Sequence, residues 1–119
     1  MKILIQKREA ENYQRKIEIN ELTGLYTTAA YHQRIEELLD GGGRGYCILV
    51  LNIEKFKIIN DLIGMSEGDR LLIYMSNFIR RSAEECQGVA GYLGADIFSL
   101  CVKEEKLGGF SDFEKRVHH

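Results

Sequence analysis

The stretch "LNIEKFKIINDLIGMSEGDRLL", Leu51–Leu72, decides the fold. It leaves an apolar run, acquires helical spacing, breaks at Gly64 and becomes periodic again. The run it leaves, "YCILVLNI", has an unbroken apolar character that predicts a central strand buried on both faces. "EKFKIINDLIG" predicts a short helix with Phe56, Ile59, Leu62 and Ile63 turned inward and Gly64 as its stop. Ser66 is expected to cap a longer helix, with Asp69 three residues on in the manner of a capping box. Leu71, Leu72, Met75, Phe78 and Ile79 form the core stripe of that helix.

Downstream, "GVAGYL" and "DIFSLCV" read as two strands joined around Gly94–Ala95, with the carboxylate of Asp96 at the tip. "GGFSDFEKRV" predicts a loop and the opening turns of a helix capped by Ser111. Upstream, "DGGGRG" is a loop, preceded by a helix carrying Tyr31, Ile35, Leu38 and Leu39 and capped by Thr27 or Thr28. From about Lys7 to Glu21 the chain is dense in both charges and predicts a solvated helix. The order fits an α/β sandwich with a mixed sheet, one parallel crossover plus an antiparallel hairpin. The expected division is a linker helix over 1–21 and one domain over 22–119 that lacks its C-terminal part.

Bulk properties narrow the function. A chain of 119 residues supports one core. Its 45% hydrophobic and 29% charged residues, with a net charge of −2, exclude a disordered chain and give no general attraction to polyanions. Nucleic acid is therefore not an expected partner. No apolar run spans a bilayer and the N-terminus is no signal peptide, so a cytoplasmic segment is expected, although the parent protein could be membrane-anchored. Cys47, Cys86 and Cys101 lack ligand-like spacing, and His32, His118 and His119 suggest no metal site.

"NELTGLYT", "LNIEKFKIINDLIGMSEGDRLL" and "YLGADIF", in this order and spacing, resemble the three motifs of the GGDEF family of diguanylate cyclase domains. The resemblance runs from about Asn20 to Val102. It implies a nucleotide-cyclase, palm-like sandwich in which each domain holds one GTP and two domains meet to form cyclic di-GMP. Two metal ions, Mg2+ or Mn2+, would bridge carboxylates to the triphosphate and help ionise the attacking hydroxyl. Carried over by position, Asn60 and Asp69 match the pair that reads the guanine edge, and Phe56, Lys57 and Gly68 match the same motif. Phe56 is expected to pack in the core rather than touch nucleotide.

The catalytic half departs from the pattern. Asn52 replaces the first aspartate of the strand-end pair, and Glu54 replaces the second. Asp96 keeps the acidic third position of the hairpin signature, but Ile97 replaces its glutamate and Ala95 its second glycine. Tyr92 stands where an arginine is common. Magnesium wants anionic oxygens, and each lost carboxylate removes on the order of several kcal/mol of attraction at an effective ε near 20. Asn52 and Asp96 would form at best a weak metal site, with Asp96 and Glu54 as catalytic remnants. Glu85 and Gly88 occupy the Arg-x-x-Asp positions of the family's product site and match neither. The favoured reading is a catalytically silent domain that binds GTP or docks to regulate an adjacent EAL phosphodiesterase domain. The alternatives are an active diguanylate cyclase using Glu54 and Asp96, and a homodimerising scaffold that binds no nucleotide. Metal is expected only with bound nucleotide.

Overall fold

The computed structural model describes residues 18–42 and 44–107. Helix α1 spans Thr28–Asp40, strand β1 Tyr46–Asn52, helix α2 Phe56–Ile63 and helix α3 Met65–Glu85. Strands β2 (Val89–Gly94) and β3 (Ile97–Lys103) follow, then a 3-10 turn at Glu104–Leu107. The expected linker helix, as far as residue 17, and the helix expected after Ser111 lie outside the described residues. Among the described residues no helix is long and apolar enough to cross a membrane.

The sheet order is β1-β3-β2, and β3 pairs antiparallel with both neighbours. β1 and β2 therefore run parallel, as a crossover through α2 and α3 requires, but β3 separates them. The hairpin return slots into the gap that the crossover leaves open.

This order corrects the expectation for β1, which is an edge strand among the described residues. Cys47, Leu49 and Leu51 face the main core, whereas Ile48 and Val50 are 58% and 65% exposed. The strand buried on both faces is β3. Its Phe98, Leu100 and Val102 join Leu72, Ile79 and Ala83 of α3, and its Cys101 joins Tyr31 and Ile35 of α1. An apolar run reports hydrophobicity but not its place in the sheet, so β1 read as central. Helix α1 covers β2 and β3 and leaves the matching face of β1 open.

One polar chain threads the α1 face. Ser99 Oγ donates to the carbonyl of Leu49 (3.1 Å), so the Tyr31 hydroxyl, 2.7 Å away, donates to Ser99. Burial of the Tyr31 ring pushes its phenol up to about 12, opposed in part by that hydrogen bond. The ring lies on the backbone of β2 at Gly91, where a Cβ would sit 2.6 Å from Tyr31 Cγ.

Three local expectations change. Helix α3 starts at Met65 behind Gly64, whose φ of 93° is open to glycine, so Ser66 and Asp69 lie inside the helix and Ser66 is not its cap. On α2 only Phe56 is buried; Leu62 and Ile63 are 80% and 60% exposed because α2 touches the body through one edge. The described part of the predicted linker helix, residues 18–21, is not helical. Ile19 instead bridges Tyr26, and Asn20 Oδ1 accepts from the Thr23 amide (2.9 Å) and hydroxyl (3.0 Å). That closed turn seats Leu25 in the core at 3% exposure and passes the chain to β2 through a Tyr26–Gly91 bridge. Thr27 precedes α1 in extended conformation without a side-chain cap, its hydroxyl donating to the Glu18 carbonyl (3.3 Å).

Candidate functional site

The end of β1 and the tip of the hairpin lie side by side. Asn52 pairs with Ile97, and the Ile53 amide donates to the carbonyl of Asp96 (3.2 Å). Glu54 and Lys55 follow on the exposed turn into α2, and Lys55 takes a left-handed φ of 59°. The sheet thus brings residues 52–54, at the end of β1, to the tip that carries Asp96, more than forty positions further along the chain.

The turn differs from the one expected. Gly94 is the last paired residue of β2, opposite Ile97, so the two central residues are Ala95 and Asp96. A register shift between Tyr92 and Gly94 marks the irregularity. Gly94 has φ 109° and Ala95 φ 51°, so alanine does occupy a left-handed position. The Tyr92 hydroxyl donates to the Ala95 carbonyl (2.6 Å), while the Tyr92 ring packs on Phe98 with centroids 5.3 Å apart.

The second half of the site sits where α2 meets α3. Asn60 is on the last turns of α2, and Gly68 and Asp69 are on the first turns of α3. A Cβ at Gly68 would lie 1.6 Å from Asn60 Oδ1, so only glycine leaves room for this amide. Asn60 Oδ1 is buried and accepts no hydrogen bond among the described residues. A buried acceptor without a donor is costly and unusual in a folded protein. Asp69 is half-buried nearby. Tyr92 connects the halves: burial, then the charges of Asp69 and Asp96, raise its phenol above the ordinary value. Lys57 is exposed on the first turn of α2, whereas the Phe56 ring belongs to the core.

Mg2+ or Mn2+ finds a poor donor set here. Among the described residues no three of His, Cys, Asp or Glu converge in a metal-binding group. Asn52 offers an amide, Ile97 offers nothing, and Glu54 and Asp96 supply carboxylates near the strand end beside the cation of Lys55. These residues do not fit a divalent pair.

Near the positions of the family's product site, Arg80, Glu84, Gly88 and Tyr26 line a cleft of about 250 Å3. The Asn20 turn and the Tyr92 hydroxyl contact were not anticipated. The first had a signal in Asn-x-x-Thr spacing; the second had none, because it depends on a turn conformation.

Comparison with known proteins agrees with the motifs. The family model for the diguanylate cyclase GGDEF domain matches residues 18–119. The chain belongs to the GGDEF family. A GGDEF domain of DgcB from Caulobacter crescentus, solved in complex with c-di-GMP, is 28% identical, with a TM-score of 0.61 over 71% of this chain and 50% of that one. A diguanylate cyclase/phosphodiesterase structure from Caldicellulosiruptor saccharolyticus shares the fold at TM-score 0.74 and 24% identity, covering 88% of this chain and 62% of that one. The cyclic di-GMP phosphodiesterase PdeB of Shewanella oneidensis is 28% identical over 107 residues, and NbdA of Pseudomonas aeruginosa, of the same description, 32% over 82. Those matches take in 87% and 66% of this chain but only 12% and 10% of the two relatives, so the GGDEF domain spans about a tenth of their length.

Proposed function

We propose that this GGDEF domain is a catalytically silent guanine-nucleotide module that regulates an EAL phosphodiesterase domain in the same polypeptide. The observation that carries the reading is the contrast between the two halves of the site. Asn60 Oδ1 is an unspent acceptor in a glycine cradle beside Asp69, while the strand end and hairpin lack a convergent acidic group. Guanine presents an N1–H and an exocyclic amine, and an amide with a carboxylate can accept from both. That supports recognition of the base. Exposed Lys57 and the N-terminal turn of α2 supply positive potential for the phosphates. Association with a phosphodiesterase domain is supported by the two curated relatives, which carry that name.

Synthesis requires the 3′-hydroxyl of one GTP to be ionised beside the α-phosphate of another. Among the described residues no side-chain hydrogen bond or ion pair orients Glu54 or Asp96 for that task, and Asn52 and Ile97 cannot supply the missing charge. Incubating the chain with GTP and Mg2+ or Mn2+ should give no cyclic di-GMP, while calorimetry should register GTP binding. Turnover would establish an active cyclase instead, and absence of heat at millimolar GTP would reduce the domain to a scaffold. The combined change Asn52→Asp, Ala95→Gly and Ile97→Glu should raise metal-dependent GTP affinity. An unchanged affinity would mean that lost carboxylates are not what silences the site.

A further inference from the structure

The hairpin tip carries a conformational problem that one side chain answers. Ala95 is held at a φ of 51°, a left-handed region that is unfavourable for a residue with a Cβ. Its carbonyl accepts the Tyr92 hydroxyl at 2.6 Å, a short side-chain bond across the turn. The next carbonyl, that of Asp96, accepts the Ile53 amide and docks the tip onto the end of β1. Tyr92 is itself anchored twice more: its ring rests on Phe98, and its amide donates to the Tyr26 carbonyl at 2.9 Å. A strut fixed at its base and hydrogen-bonded at its head holds the tip in one place.

We propose that Tyr92 is the positioning residue of the nucleotide hairpin, setting the place of Asp96 and of the tip backbone relative to the phosphate end of a bound nucleotide. This rests on the guanine-nucleotide reading above for its ligand, but not for its geometry. The strut makes no hydrogen bond to the base half, where Asn60 and Gly68 meet at the α2–α3 junction. Its hydrogen bond ends on the tip, so losing it should tell on ligands that carry phosphate rather than on the bare nucleoside. Burial of the phenol, and after it the charges of Asp69 and Asp96, favour its neutral form, which is the form that donates.

Tyr92→Phe keeps the ring on Phe98 and removes only the hydroxyl, so the fold survives. In the full chain, the Ile53 amide of this variant should exchange with solvent about five-fold faster, the factor expected for one lost hydrogen bond. The Leu100 amide in the middle of β3 should be unchanged. With Mg2+ in the buffer, the Kd for GTP should rise about five-fold, while the Kd for guanosine stays within about two-fold. An unchanged Ile53 exchange rate, or an equal change for GTP and guanosine, would overturn the proposal. A wild-type chain that binds neither ligand would sink the nucleotide reading, and the exchange comparison would still decide the strut.

Discussion

Ala95 illustrates how one methyl group sets a local balance. Its left-handed φ of 51° is native to glycine, the residue the family signature has there. Ala95→Gly should relieve that strain at the cost of a freer unfolded chain, for a net gain of about 0.5–1 kcal/mol readable as a urea midpoint shift. Gly68 presents the reverse case. Gly68→Ala favours the helix by up to ~1 kcal/mol, but the new Cβ would displace Asn60 Oδ1, 1.6 Å away. The expected result is near-normal stability with guanosine and GTP affinity reduced about ten-fold or more, the scale of one lost base-edge interaction. Tyr31 makes a titration prediction. Its phenol is raised to about 12 from an ordinary 10.0, so the folded state favours the protonated ring. The stability this gives is complete below pH 10 and is lost as pH rises towards 12. In ultraviolet tyrosinate titration, the component missing from Tyr31→Phe should be the latest to ionise.

At the level of elements, β1 and α2 show where exposed apolar surface accumulates. Leu62 and Ile63 point to solvent although their spacing looks amphipathic. Leu62→Lys should change stability by less than about 0.5 kcal/mol, whereas Ile79→Ala, at a fully buried position, should cost about 2–5 kcal/mol. Chemical denaturation of the two variants checks the contrast. Apolar runs, helical spacing and glycines located the three α-helices and three strands described, since these signals act over a few residues, but not the 3-10 turn at Glu104–Leu107. They could not rank β1 against β3, because both are apolar and only partner choice separates them. Nor could they find the start of α3, where Gly64 leads the helix without a side-chain cap. Motif spacing alone nominates Asn52, Glu54, Asn60, Asp69 and Asp96 as candidates, and the sheet register sets Asn52 opposite Ile97 beside the hairpin tip. The Tyr92 contact was illegible because it exists only once Ala95 turns left-handed.

Over the whole molecule, the same sheet carries the core and frames the candidate site. β3 supplies the shared core and also brings the hairpin tip to the end of β1, so the site's geometry inherits the stability of the most buried strand. The polypeptide reaches this sheet by an unexpected path. Residues 18–27 close a turn on Asn20 and bond to β2 at Gly91 and Tyr92, three and two positions before Gly94. A displacement of residues 18–27 thus meets almost no slack before it reaches the hairpin tip. Residues 18–27 and the hairpin tip are geared together through Tyr26, so strain applied at one end should be felt at the other.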